Sequence, residues 1–99
     1  MITHELVKKI MDQYSLSWNG IHGVAHWARV MENGRRLAVG TGAKPEVVEL
    51  FAVLHDSRRI SDGYDFSHGY QGAEFAASLR GKLFGLSDED FILLYAACA

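Results

Sequence analysis

Residues 47–60 read VVELFAVLHDSRRI. From Val47 to Leu54 only Glu49 is polar, and Pro45 stands just upstream, where it suits the first position of a helix. Glu46 and Glu49 then lie near the positive end of that helix's dipole. A helix that is apolar on most sides is a central, buried one. The stretch closes on His55, Asp56, Arg58 and Arg59. A carboxylate emerging beside a core is costly unless a cation or several donors meet it, and the negative end of a helix dipole disfavours it further. A metal ion would offset both costs, and so would an arginine such as Arg29. Were Asp56 unpaired, its removal from the metal-free chain would relieve a buried charge.

Around this segment the pattern is helical throughout. Thr3 suits the cap of a first helix, whose apolar residues Leu6, Val7, Ile10 and Met11 recur at helical spacing. SLSWNG (residues 15–20) breaks it. A second helix begins between Ile21 and Val24 and runs toward Val39, with Val24, Trp27, Val30, Met31 and Leu37 on its apolar side. Gly40 or Gly42 suits its left-handed end. After the polar loop SRRISDGYDFS (residues 57–67), Ser67 is placed to cap a fourth helix rich in small residues: Gly69, Gly72, Ala73, Ala76 and Ala77. Small residues let a neighbouring helix approach closely. SDED (residues 87–90) is a capping-box-like start for a fifth helix, which continues as FILLYAACA to Ala99. The expected fold is all-α, a compact bundle of about five helices forming one domain over residues 1–99.

The totals bound the function classes. A chain of 99 residues with 48% hydrophobic content and a formal charge of −2 fits one small globular domain. Slight acidity speaks against a double-stranded nucleic-acid partner, which calls for a basic face. Cys98 is the only cysteine, which rules out an internal disulfide and fits a reducing cytoplasm. No apolar run approaches the ~18 residues of a membrane span, so no membrane association is expected. The fifth helix stops in apolar sequence, which leads to two expectations: a domain truncated at its C-terminus, or a homo-oligomer formed through that helix.

Five histidines are candidates for chemistry: His4, His22, His26, His55 and His68. His4 reads as a surface residue. His22 and His26 are spaced i, i+4 and share a face if both are helical. Gly20 and Gly23 flank His22, which is therefore either a further ligand or a hydrogen-bonded neighbour. His55 and Asp56 diverge by about 100° on a helix. They can meet one ion only at a helix end, with other helices supplying further ligands. Imidazole with carboxylate suits Zn, Mn, Fe or Ni, while Mg prefers oxygen. Arg58 and Arg59 carry guanidinium forks that match phosphate oxygens, or else pair with Asp62 or Asp65. Arg35 and Arg36 read as surface residues.

Together, HWARV (residues 26–30) and, after a helical spacer, LHDSRR (residues 54–59) resemble the HD superfamily of metal-dependent phosphohydrolases, named for its adjacent His-Asp pair. The resemblance covers the chain from the second helix to the end. It implies an all-helical fold and makes His26, His55 and Asp56 metal ligands. Some members hold two ions and open the helix after the doublet with a histidine. SHGYQGAEFA (residues 67–76) is similar, which would make His68 a ligand and Asp56 a bridge. The family's last ligand is an aspartate after the fifth helix. Asp62, Asp65, Asp88 and Asp90 do not stand at that position, so at most three of four primary ligands are expected.

The resemblance thus implies a divalent metal cofactor, one or two ions of Mn, Fe, Zn, Ni or Mg, and a small phosphorylated substrate such as a nucleotide. Whether the chain is an enzyme is left open by the absent aspartate. A non-catalytic HD-like binding module or inactive truncated form is one alternative, and an HD-fold di-iron oxygenase is another.

Overall fold

The computed structural model describes residues 2–63, 65 and 67–99; Tyr64 and Phe66 of the expected polar loop lie outside the described residues. Five helices follow one another: α1 (His4–Gln13), α2 (Val24–Thr41), α3 (Pro45–Leu54), α4 (His68–Leu79) and α5 (Asp88–Cys98). There is no β-strand among the described residues, only an isolated bridge between Arg80 and Phe84 in the turn before α5. The all-α bundle of about five helices is therefore the fold.

The helix ends follow local chemistry. Thr3 accepts a hydrogen bond from the Leu6 N–H at 3.1 Å, and Ser87 accepts one from the Asp90 N–H at 3.2 Å, each satisfying a first-turn donor with no helical partner. Asp88, Glu89 and Asp90 then sit in the first turn of α5, where the helix dipole favours negative charge. Gly42 ends α2 in the left-handed conformation. Ser67 occupies the cap position of α4 but does not cap with its side chain. That helix start is fastened by the His68 ring instead, which donates from Nδ1 to the Asp65 carbonyl at 2.7 Å.

The central position of α3 is confirmed. It packs against each of the other four helices and buries Leu50, Ala52, Val53 and Leu54. Leu6 and Ile10 of α1, Ala73 and Ala76 of α4 and Leu94 of α5 are fully buried around it. Close approach of α4 depends on Gly72: a Cβ there would lie 2.8 Å from the Leu54 carbonyl oxygen and 3.2 Å from that of His55. This contact lays the start of α4 across the end of α3, where the histidine-aspartate pair emerges.

α2 departs from the expected burial. Trp27 and Ala38 are buried, but Val24 and Leu37 are exposed. Among the helices α2 packs on α3 alone, so only a narrow stripe of its surface is covered. An apolar cavity of about 510 Å³ lies beside that stripe, lined by residues including Leu37, Val48, Phe51 and Ala97. On α5, Leu94 and Cys98 point inward while Ile92 and Leu93 are more than half exposed. No helix among the described residues is long and apolar enough to cross a membrane.

Candidate metal centre

Two aromatic residues build one wall of the site. The Tyr14 hydroxyl donates to the His22 carbonyl at 2.8 Å, and the Trp27 indole N–H donates to the same oxygen at 2.9 Å. Their rings meet edge to face at 5.3 Å between centroids. Gly23 completes the turn, since a Cβ there would run into the Trp18 carbonyl. These contacts fix the chain as it enters α2, and His26 projects from the first turn of that helix.

The opposite wall is the end of α3. His55 is its cap residue and is still helical in conformation; Ser57 and Arg59 continue in tight turns through hydrogen bonds to the carbonyls of Leu54 and Asp56. The doublet thus lies at a helix end, where both side chains can reach one point. The His55 Nδ1 lies 3.0 Å from the Phe51 carbonyl and 3.1 Å from that of Ala52. Only an Nδ1–H can donate to these oxygens, so the lone pair is left on Nε2. The Phe51 ring stacks on the imidazole at 4.8 Å and fixes its plane.

His26 Nε2, His55 Nε2 and Asp56 Oδ2 form a triangle whose three sides are each 3.3 Å. These residues are the one group of potential ligands that comes together among the described residues. The fit to an ion is good. Donors about 2.1 Å from a metal at tetrahedral angles stand roughly 3.4 Å apart. Two histidines and one carboxylate on one face leave the other coordination positions open. The Asp56 side chain is 3% exposed and that of His26 is 28% exposed, so the triangle is anchored in the core and open at its rim.

The electrostatics suit a cation. Burial pushes the Asp56 pKa up, but the hydrogen bond and charge that a protonated His55 brings, with those of Arg59, outweigh it and hold the carboxyl well below the usual range. Burial lowers the His26 pKa, the His55 charge lowers it further, and Asp56 opposes both only in part. Asp56 is thus ionised and His26 neutral near pH 7, the forms in which each ligates.

The remaining candidates are placed as follows. His68 opens α4 and sets Nε2 3.5 Å from Asp56 Oδ1, the carboxylate oxygen turned away from the triangle. His22 precedes α2, and its Nδ1 lies 3.0 Å from Asp62 Oδ1; its ring meets that of His26 edge to face at 5.7 Å. His4 is exposed. Arg58 is exposed and lies over the Phe75 ring. Arg59 is buried, with Nε 3.4 Å from Asp56 Oδ1, Nη1 3.1 Å from each of the Ser61 and Gly63 carbonyls, and Nη2 3.1 Å from His68 Nε2. Its guanidinium faces protein acceptors, an arrangement different from a phosphate clamp. Arg59, and not Arg29, is the arginine on Asp56, so the carboxylate is paired without any ion and its removal would expose a buried cation.

Each aspartate considered as a fourth ligand has other work. Asp62 pairs with His22, Asp65 accepts from the N–H groups of Ile60 and Ser61, Asp88 pairs with Arg80, and Asp90 with Lys44. The contributions of Tyr14, Trp27 and Phe51 escaped the sequence reading. For Phe51 the signal was present, since it stands four residues before His55 on one helix face. For Tyr14 and Trp27 there was none, because the oxygen they share belongs to the backbone.

None of the family models, curated proteins or solved structures compared with this chain matches it.

Proposed function

We propose that the chain is a metal-dependent phosphohydrolase acting on a nucleotide or other small phosphate ester. The observation that carries the metal is the triangle of His26 Nε2, His55 Nε2 and Asp56 Oδ2, with sides of 3.3 Å and open to solvent at one edge. The phosphate ester follows from the resemblance of HWARV and LHDSRR to the HD superfamily. A divalent ion held there supplies Lewis-acid polarisation of a phosphoryl oxygen and a water of lowered pKa.

The chain's own residues do the rest. Phe51 and the two α3 carbonyls keep His55 in one tautomer and one plane, so its Nε2 is preorganised. The fixed turn at His22 does the same for His26. His22 stands beside the triangle, its ring 5.7 Å from that of His26, and Asp62 orients it through Nδ1. With the Nδ1 proton directed at Asp62, its Nε2 is a proton acceptor at the rim. Of Arg58 and Arg59, the two arginines considered for phosphate, Arg58 is the exposed one, with its guanidinium over the Phe75 ring.

A second reading has support of its own. With Asp62, Asp65, Asp88 and Asp90 paired elsewhere, three candidate ligands remain, which fits a module that binds an ion or nucleotide without turnover. Loading the protein with Mn, Fe, Zn, Ni or Mg and testing a panel of phosphomonoesters, phosphodiesters and nucleotides separates the two. Metal-dependent release of phosphate supports the hydrolase. A protein that holds an ion and turns over nothing supports the module, and a folded protein that holds no ion overturns both.

A further inference from the structure

We infer that Arg59 is a built-in cation standing where a second metal ion would bind, and that it makes the centre mononuclear. The inference rests on the metal-binding reading of His26, His55 and Asp56.

Asp56 divides its two oxygens. Oδ2 completes the triangle, while Oδ1 faces His68 Nε2 at 3.5 Å and Arg59 Nε at 3.4 Å. Oδ1 and His68 Nε2 are spaced as two donors to one ion would be. The space they share is taken by the guanidinium, whose Nη2 lies 3.1 Å from His68 Nε2. The tautomer of His68 makes this contact a hydrogen bond. Its Nδ1 faces the Asp65 carbonyl at 2.7 Å and must carry the proton, so the ring's only lone pair is on Nε2 and accepts from Arg59. An imidazole nitrogen has one lone pair, so it cannot serve Arg59 and an ion together.

Arg59 is also fastened in place. Its Nη1 donates to the carbonyls of Ser61 and Gly63, and the loop carrying them is tied back by Asp65, which accepts from the Ile60 and Ser61 N–H groups. An ion entering between Asp56 and His68 would have to expel a buried guanidinium and leave those carbonyls without their donor, both unfavourable. The arginine supplies the positive charge that a second ion would bring to Oδ1. His68 is then a positioning residue for Arg59 rather than a ligand.

The test is the number of Mn(II) ions bound per chain at saturation, measured by elemental analysis and by native mass spectrometry, with helical content checked by circular dichroism. Wild type is expected to saturate at one ion, and His68→Ala also at one. Arg59→Ala frees Oδ1 and His68 Nε2 and is expected to take a second, weaker ion, whereas Arg59→Lys keeps the charge and stays at one. Two ions on wild type would overturn the inference, as would loss of the single ion in His68→Ala or a well-folded Arg59→Ala that still takes one. Should Arg59→Ala fail to fold, the wild-type and His68→Ala counts decide. No ion on wild type would overturn the metal reading itself, and the inference with it, a result distinct from two.

Discussion

His26 and Asp56, carried by different helices, bring Nε2 and Oδ2 to 3.3 Å, with His55 Nε2 at the same distance from both. The carboxylate is buried, yet its other oxygen rests on Arg59. Asp56 therefore faces a candidate ion site on one side and a structural cation on the other, and its substitution should affect both.

Asp56→Ala is expected to weaken ion binding by more than about 100-fold, beyond what the loss of an outer-shell partner costs. It should also destabilise the metal-free protein by about 3 kcal/mol, because a buried arginine loses its carboxylate. Calorimetric ion titration and urea unfolding measure the two effects. Unchanged metal-free stability would mean that Arg59 does not depend on Asp56.

Acid should destabilise the metal-free protein in two stages. The His26 pKa is lowered in the folded chain from its ordinary 6.5, so its contribution is present above that value and lost as pH falls through the folded one. Asp56 is likewise lowered from its ordinary 3.8, and its contribution is present above that value and lost at still lower pH. Ion affinity should fall over the first stage as protons compete for imidazole. Urea unfolding of the metal-free chain between about pH 7 and 4 checks the sign, since stability should fall on acidification. Stability that rises over that range would contradict a neutral, half-buried His26.

Gly72→Ala places a methyl group 2.8 Å from the Leu54 carbonyl oxygen and 3.2 Å from that of His55. It should destabilise by about 1–3 kcal/mol, as overpacking does, and should weaken ion binding because His55 moves with the end of α3. Thermal unfolding and ion titration on the same variant test the link. A destabilised protein with unaltered ion affinity would show that α4 does not position the doublet.

Tyr14→Phe removes one of two donors to the His22 carbonyl and leaves Trp27 in place. A loss of about 1 kcal/mol in stability is expected, with little change in ion affinity, because the remaining indole bond still fixes the turn before His26. A large loss of affinity would make Tyr14 indispensable to the geometry.

How much of this could be read from sequence depended on the range of the interactions. The helices were legible because their signals are local: Thr3 and Ser87 as caps, Pro45 at an opening turn, Gly42 at a left-handed end, and the apolar run from Val47 to Leu54. The burial of α2 was less so, since Val24 and Leu37 would face a core only if a second helix covered that side. At the site, HWARV and the doublet pointed to the triangle. The sequence could not distinguish Arg58 from Arg59: adjacent residues of one type, one lies over Phe75 in solvent and the other is buried on Asp56. That choice is made by a turn only a few residues long, held by Asp65 on its own N–H groups and, from afar, by Gln13 on the Ser57 carbonyl and His22 on Asp62.

The most direct measurement is an anomalous-difference map from crystals of the protein grown with Mn(II). A single peak about 2.1 Å from His26 Nε2, His55 Nε2 and Asp56 Oδ2, absent from the Asp56→Ala protein, is the result expected. A folded protein with no peak at these three atoms, or with its ion seated instead between His22 and Asp62, would contradict the account.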